Sequence, residues 1–125
     1  MSDKKSERVA IVTGGASGIG LVLTRAMAEN GYSVMVADMQ NADTAAEKLR
    51  ADGLNVVGIK ADVTSVEDTA NMVAVANKTF GGLDVLVNNA GIFTSLTLKP
   101  FDQISPSEWM KVMEVNTLGP FLCAK

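Results

Sequence analysis

The stretch "RVAIVTGGASGIG", residues 8–20, passes from an apolar run into a glycine-rich turn. Residues 9–12 predict a buried strand, because a short apolar run that ends in a turn is typical of a parallel sheet covered on both faces. Apolar residues at helical spacing begin at Gly18, so the turn lies between a strand and a helix. Glycine permits a positive φ, a close backbone approach to a phosphate and tight helix–strand packing. The turn therefore predicts a phosphate-binding loop, and a glycine-rich turn without a ligand is the alternative.

The rest of the chain continues the alternation of strands and helices. Predicted strands cover 9–12, 32–38, 55–62 and 83–91, and predicted helices cover 18–30, 41–52, 64–80 and 105–125, with a loop at 92–104. This order with short connections favours a parallel sheet that carries helices on both faces. The predicted fold class is α/β, a Rossmann-like doubly wound parallel sheet that is incomplete, with about four strands. Residues 1–7 are predicted to be a polar tail and 8–125 a single domain.

Three predicted helices begin at capping signals. Asn41 can cap the second helix. Thr64 and Glu67 have the spacing of a capping box for the third helix. Residues 105–108, "SPSE", offer a cap, a proline at the first helical position and a glutamate at the third.

The composition argues against several classes of partner. Hydrophobic residues make up 47% and charged residues 20% of the 125 residues, which is typical of a globular chain. The formal net charge is −3 and the chain has no basic block, so nucleic acid is not an expected partner. No apolar run approaches the about 20 residues that cross a membrane, and the N-terminus lacks the apolar stretch of a secretory signal. A cytoplasmic protein with no membrane partner is the prediction.

The chain has one cysteine and no histidine. A single cysteine forms no internal disulfide, and the lack of histidine argues against a Ser-His-Asp triad and a zinc site, so no metal is expected. Cys123 lies among apolar residues, which favours a small core or interface side chain over a nucleophile, since no histidine could activate the thiol.

An aspartate ends the strand that follows the glycine-rich turn and the first helix. Asp38 ends the second predicted strand, eighteen residues after Gly20. A carboxylate at this place can accept hydrogen bonds from both hydroxyls of an adenosine ribose, and it repels a 2′-phosphate. The neighbours of Asp38 in the sequence carry no positive charge, so nothing nearby is expected to neutralise an extra phosphate, and NAD is favoured over NADP. An ordinary strand-end aspartate is the alternative. Asp62 and Val63, after the third strand, could meet the adenine edge.

The motifs together resemble the short-chain dehydrogenase/reductase family. The turn has the spacing T-G-x-x-x-G-x-G, "NNAG" ends the fourth predicted strand at 88–91, and "EVNTLGPF" at 114–121 places Asn116 where the family has a helix asparagine. The resemblance covers the chain from about Arg8 and identifies it as the N-terminal half of such a protein. It implies hydride transfer between a nicotinamide cofactor and a secondary alcohol or ketone, in a homo-oligomer, dimer or tetramer.

The resemblance also assigns roles to individual residues. Asn116 would hold a water of the proton relay through its backbone carbonyl. Pro120 cannot donate a hydrogen bond to that carbonyl, so a loosened or kinked helix is predicted near Gly119 and Pro120. Asn88 is expected to have a structural role at the sheet. The expected cofactor contacts come from the glycine-rich turn, the ends of the second and third strands and the "NNAG" turn: Gly14, Ser17, Gly18, Ile19, Gly20, Asp38, Met39, Asp62, Val63, Asn89, Ala90 and Gly91.

The catalytic Ser and Tyr-x-x-x-Lys of the family have no counterpart in the sequence. The one tyrosine, Tyr32, precedes the second strand and has Val36 four residues later, so it is expected to be a packing residue. The family pattern would place the catalytic groups after residue 125. We therefore expect a domain truncated before a fifth strand, inactive alone, with an open edge on the fourth strand. Ile92, Phe93 and Thr94 are expected at the rim of the substrate pocket, whose substrate the sequence does not specify.

Two other functions fit part of the pattern. A module that binds a dinucleotide without catalysis would also lack the Tyr-x-x-x-Lys motif. An S-adenosylmethionine methyltransferase also uses a glycine-rich turn and an acidic residue after its second strand. The "NNAG" turn and the T-G-x-x-x-G-x-G spacing argue against the methyltransferase.

Overall fold

The computed structural model describes residues 8–125, and the predicted polar tail at 1–7 lies outside the described residues. Four parallel strands form one sheet in the order β3-β2-β1-β4. The strands are β1 (Val9–Thr13), β2 (Ser33–Asp38), β3 (Val56–Lys60) and β4 (Val85–Val87). The central strands β1 and β2 are buried almost throughout, as their continuous apolar runs predict. The predicted α/β fold with a Rossmann-like parallel sheet is confirmed.

Helices cover both faces of this sheet. They are α1 (Gly18–Glu29), α2 (Ala42–Ala51), α3 (Val66–Phe80), α4 (Pro106–Met113) and α5 (Gly119–Ala124). Successive strand residues point to opposite faces, so Val12 packs with α1 and α2, whereas Ile11 packs with α3 and α5. Helices on opposite faces make the sheet doubly wound. Within residues 8–125, no helix has the length and apolar character needed to cross a membrane.

Two packing predictions are confirmed. Cys123 is buried in the cluster beneath α3 and α5, where burial raises the pKa of its thiol. An elevated pKa leaves the thiol protonated and poorly nucleophilic, as a core side chain should be. Tyr32 is half-buried against the cluster on the α1 and α2 face, which fits its expected packing role.

The capping box predicted from Thr64 and Glu67 is wrong by one residue. Helix α3 begins after Ser65, whose side chain accepts a hydrogen bond from the Asp68 amide at 3.1 Å. Thr64 is unavailable as the cap because its hydroxyl donates to Oδ1 of Asp62 at 2.7 Å.

The other two capping predictions have different outcomes. Asn41 occupies the N-cap position of α2 in the left-handed region, with φ of 60°, but its side chain makes no capping hydrogen bond. The capping box from Ser105 to Glu108 is confirmed, with both of its reciprocal bonds present and Pro106 at the start of α4.

The last predicted helix is interrupted near Gly119 and Pro120, as predicted. Residues Glu114–Leu118 form a π-helical segment between α4 and α5, and the Gly119 amide bonds to the carbonyl of Glu114, five residues earlier. The wider turn brings Gly119 against the core, where an added Cβ would lie 2.7 Å from Cγ2 of Val63. The long predicted loop at 92–104 also contains a 3₁₀ turn, Phe101–Gln103.

The two ends of the sheet are β3 and β4, and β4 has only β1 as a neighbour among the described strands. Its three residues are half-buried, which agrees with the predicted open edge. The helix after it exposes five large apolar side chains: Trp109, Met110, Met113, Leu118 and Phe121.

We expect Ser65→Ala to lower the free energy of unfolding by about 1 kcal/mol, because the Asp68 amide loses its acceptor. Ser65→Asp should retain most of that stability, since aspartate also caps helices. Glu67→Ala is the matched control for the rejected capping box, because it removes the acceptor that such a box would need, and it should cost less than Ser65→Ala. Urea unfolding followed by circular dichroism measures all three variants. A larger loss for Glu67→Ala than for Ser65→Ala would restore the original assignment.

Candidate functional site

The glycine-rich turn lies where the direction of the chain reverses across the sheet. Strands β1 and β4 are neighbours, and the segments that follow them pack on opposite faces. In open α/β sheets this arrangement leaves a crevice at the carboxyl ends of the strands, which is the usual place for a ligand. The turn Thr13–Gly20 and the "NNAG" turn at 88–91 border that crevice.

The hydroxyl of Thr13 joins the two turns. Its Oγ1 accepts hydrogen bonds from the amides of Asn89 (3.1 Å) and Ala90 (3.0 Å) and donates to the carbonyl of Val87 (3.3 Å). Thr13 is buried, so these groups have little access to water. One side chain therefore ties the end of β1 to the turn after β4.

The Asn89 side chain strengthens the same junction. Its Nδ2 donates to the carbonyls of Thr13 (3.1 Å) and Gly14 (3.2 Å). The structural role expected mainly for Asn88 is thus performed more clearly by Asn89, because within residues 8–125 the Asn88 side chain donates only to the carbonyl of Pro120, at 3.5 Å. Whether Asn89, Ala90 and Gly91 contact a cofactor stays a prediction.

The turn requires glycine at different positions for different geometric reasons. Gly14 and Gly18 have φ of 62° and 53°, in the left-handed region. At Gly20 an added Cβ would collide with the carbonyl oxygen of Gly14 and lie 2.5 Å from Nδ2 of Asn89. A Cβ at Gly18 would meet nothing within 4 Å, so the surface at this residue is open. The turn therefore offers bare backbone to the crevice at Gly18 and close packing at Gly20.

The N-terminus of α1 differs from those of α2, α3 and α4. Ser17 is the N-cap but makes no side-chain capping bond, and the first turn has no acidic residue. By contrast, α2, α3 and α4 each carry an acidic residue in the first turn. The first amides of a helix have no intrahelical acceptor and lie at the positive end of its dipole. At α1 no side-chain cap from Ser17 occupies them.

Asp38 connects the end of β2 to the turn. Its Oδ2 accepts from the amide of Ala16 at 3.2 Å, and its Oδ1 accepts from the amide of Gln40 at 3.1 Å. A carboxylate has about four acceptor sites, so two bonds leave capacity for further donors.

The expectation that nothing near Asp38 could neutralise a phosphate is wrong. The register of β2 and β3 pairs Asp38 with Lys60, which the sequence places 22 residues away. Both residues line a cavity of about 250 Å³ at this end of the sheet. Any argument from charge for NAD over NADP must therefore take Lys60 into account as well as Asp38.

The two residues expected at the adenine edge differ in accessibility. Asp62 is half-buried, and its Oδ1 accepts from the amide (2.9 Å) and hydroxyl (2.7 Å) of Thr64. Val63 is buried in the core beneath α5. The side chains of Ile19 and Met39 are 74% and 57% exposed.

Asn116 holds the segment after the "NNAG" turn. Its Oδ1 accepts from the amide of Ile92 at 2.7 Å, and its Nδ2 donates to the carbonyl of Ile92 at 2.9 Å. The amide thus pairs with both backbone groups of one residue, as a neighbouring strand would. This contact satisfies the Asn116 side chain, and the relay role of its backbone carbonyl stays a prediction.

A second, larger cavity lies between the loop after Ile92 and α4. It has a volume of about 580 Å³ and a mostly apolar lining that includes Ile92, Leu96, Trp109 and Val112. Phe93, also expected at the pocket rim, is 83% exposed and lies outside this lining, as does Thr94.

The loop is attached to α4 by one ion pair. Lys99 contacts Oε1 of Glu108, while Oε2 of Glu108 accepts from the Ser105 amide at 2.8 Å. The Lys99 contact, followed by the Ser105 bonds, lowers the pKa of Glu108 from 4.5 to about 2. Among the residues the structure describes, no cluster of three acidic, cysteine or histidine side chains could hold a metal ion.

The family model for short chain dehydrogenases matches residues 8–125, and the chain belongs to this family. It is 38% identical over 120 residues to an uncharacterized oxidoreductase of Thermotoga maritima, covering 94% of this chain and 46% of that protein. It is 39% identical over 126 residues to the cis-4-hydroxycyclohexanecarboxylate dehydrogenase of Sinomonas cyclohexanicum, covering 100% of this chain and 50% of that enzyme.

Solved structures contain the same fold. The crystal structure of gox2181 superposes with a TM-score of 0.89 at 37% identity, covering 94% of this chain and 46% of that one. The chain spans about half the length of the curated relatives it matches. Membership in an oxidoreductase family with a Rossmann-like sheet is therefore established.

Sequence reasoning missed the roles of Thr13 and Lys60. Thr13 is part of the quoted T-G motif, but its three partners lie 74 to 77 residues away. A threonine that ends a fully apolar strand was an available signal, because a buried hydroxyl needs partners. Lys60 could have been found only by aligning the ends of the second and third strands.

We expect Thr13→Val to lower the free energy of unfolding by about 2 kcal/mol or more, because two amides and a carbonyl lose a buried partner. Thr13→Ser keeps the hydroxyl and should cost clearly less. Urea unfolding gives the energies, and hydrogen exchange should be faster at the amides of Asn89 and Ala90 in Thr13→Val alone. A small loss in Thr13→Val together with a larger loss in Thr13→Ser would show that the methyl group, not the hydroxyl, matters.

The Glu108 carboxylate should respond to removal of Lys99. Since the folded pKa is depressed, its contribution to stability is present above pH 4.5 and is lost as the pH falls towards about 2. In Lys99→Met we expect the pKa of Glu108 to rise towards 4.5, measured by NMR titration of its carboxyl carbon. Lys78→Met, on α3, is the control and should leave this pKa unchanged. An unchanged value in Lys99→Met would contradict the ion pair.

Proposed function

We propose that the chain binds the adenosine diphosphate part of a nicotinamide dinucleotide, with NAD preferred over NADP. The observation that carries this proposal is the uncapped start of α1, which has no acidic residue in its first turn and adjoins a glycine open to solvent. The residues fit a diphosphate, because free helix amides and bare backbone attract and admit a negatively charged group. Gly14, Ser17, Gly18, Ile19 and Gly20 would hold it.

Asp38 would bind the adenosine ribose. Its two hydrogen bonds to Ala16 and Gln40 fix the carboxylate beside the turn while leaving acceptor capacity. Two ribose hydroxyls supply the matching donors, whereas a 2′-phosphate would bring a second negative charge. Met39, Asp62 and Val63 are proposed at the adenine side and Asn89, Ala90 and Gly91 beyond the diphosphate.

The complete protein is proposed to oxidise a secondary alcohol or reduce a ketone. The relative from Sinomonas cyclohexanicum is named as a dehydrogenase of a hydroxycyclohexane compound, in which the hydroxyl is that of a secondary alcohol. A bound nicotinamide cofactor would supply the hydride chemistry. Asn116 is proposed to hold a relay water through its carbonyl, on a helix that its side chain anchors to Ile92.

Three further features are proposed for the complete protein. A small-molecule substrate would enter near Ile92. A homo-oligomer would cover the exposed apolar side chains of α4, the π-helical segment and α5. The cytoplasmic location stays a prediction.

A dinucleotide-binding module without catalysis is the second candidate for the 125-residue chain. The observation that favours it is the sequence itself, in which Tyr32 is the one tyrosine and no lysine follows it by four residues. Turnover of an alcohol by this chain with NAD would exclude this candidate. Binding without turnover would support it.

We expect calorimetric titration to show that NAD binds more tightly than NADP, and that S-adenosylmethionine does not bind. Gly18→Ala should weaken NAD binding about tenfold or more, because its new methyl group would face the diphosphate. Gly53→Ala is the matched control: its φ is 83°, and its Cβ would also meet nothing within 4 Å. Both variants carry similar backbone strain, but only Gly18→Ala should lose affinity.

Three results would contradict the proposal. Equal affinity losses in both glycine variants would assign the effect to backbone strain. Absence of NAD binding by the parent chain would remove the dinucleotide site. Tighter binding of S-adenosylmethionine than of NAD would favour the methyltransferase instead.

A further inference from the structure

The parallel register brings a cation beside the carboxylate proposed to select the cofactor. Asp38 and Lys60 are Cα partners on β2 and β3, and each is the last residue of its strand. Paired residues of adjacent strands point to the same face of a sheet. Val34 and Val56 pack on the α1 and α2 face, and Asp38 and Lys60 follow them at even spacing. Both side chains therefore leave the sheet on that face.

The cavity at this place has a mixed charge. Its lining comprises two carboxylates, one ammonium group, one methionine and three small or polar residues: Asp38, Met39, Asn41, Ala42, Asp43, Thr44 and Lys60. With Lys60 the formal charge of the lining is −1, and without Lys60 it would be −2. A phosphate placed here is repelled in either case, but less when the ammonium group is present.

Lys60 has no competing partner among the described residues. The ion pairs there join Arg25 with Glu29 and Asp52, and Lys99 with Glu108. The Lys60 side chain is exposed, so it can move towards an anion that enters the cavity. Its effect will be moderate, because solvent screens exposed charges.

We infer that Lys60 is a specificity-determining residue that limits the discrimination against a 2′-phosphate, so that the chain prefers NAD but retains measurable binding of NADP. This inference rests on the proposed function, since it assumes that the adenosine ribose lies beside Asp38. Asp38 repels the 2′-phosphate, and Lys60 offsets part of that repulsion from the neighbouring strand. The ratio of the two dissociation constants is set by both residues.

The test is calorimetric titration of the 125-residue chain and its variants with NAD and with NADP. Lys60→Gln should increase the ratio of the NADP to the NAD dissociation constant by roughly three- to tenfold. Lys60→Arg keeps the charge and should leave the ratio nearly unchanged. Lys78→Gln makes the same change of net charge on α3, on the opposite face of the sheet, and should also leave it unchanged.

The outcomes separate this inference from the proposed function. An unchanged ratio in Lys60→Gln, while the parent chain still binds NAD, would overturn the inference alone. A similar rise in Lys78→Gln would overturn it too, because net charge would then explain the effect. If the parent chain binds neither NAD nor NADP, the proposed function fails and the inference fails with it. Circular dichroism of each variant confirms that the fold is kept.

Discussion

The buried hydroxyl of Thr13 is the contact on which the arrangement of the site depends. Strand β4 has three residues and pairs only with β1 among the described strands, so its ladder alone fixes the following turn weakly. The Thr13 hydroxyl adds three hydrogen bonds to this segment, and the Asn89 side chain donates two more to the carbonyls of Thr13 and Gly14. The Asn116 amide then holds Ile92, the residue after that turn. A sequence of polar contacts thus connects the glycine-rich turn to the helix that contains the proposed relay residue.

The fold could be predicted from the sequence because its signals are local. Buried strands of a parallel sheet are continuous apolar runs, and the box at 105–108 contains every residue type that a capping box needs. The error at α3 has an equally local cause. Thr64 and Ser65 are both good caps, and the structure engages the Thr64 hydroxyl with Asp62 and uses Ser65 as the cap. No spacing rule includes that competition.

The site was less predictable because its parts meet through long-range register. The turn and Asp38 can be read from spacing, but the bond of Asp38 to Ala16 and the pairing with Lys60 require the strands to be aligned. The glycines illustrate the same limit. Their presence indicates a tight turn, whereas the collision that excludes a side chain at Gly20 involves Asn89, which lies in another part of the sequence. Family membership is secure across 8–125, and the cofactor preference follows from these few charges as a proposal.

The π-helical segment Glu114–Leu118 changes the direction in which later side chains point, relative to a regular α-helix of the same sequence. One additional residue in a helical turn rotates later side chains by about 100° relative to a regular α-helix. Gly119 and Cys123 face the core, whereas Trp109 and Met113 of the preceding helix are exposed. Loss of a single residue from this segment would restore regular winding without turning the thiol away from Ile11 and Met72, because the wide turn already accommodates that residue. The π-helical segment thus joins α4, which exposes apolar side chains, to α5, which buries Cys123, within one continuous helical stretch.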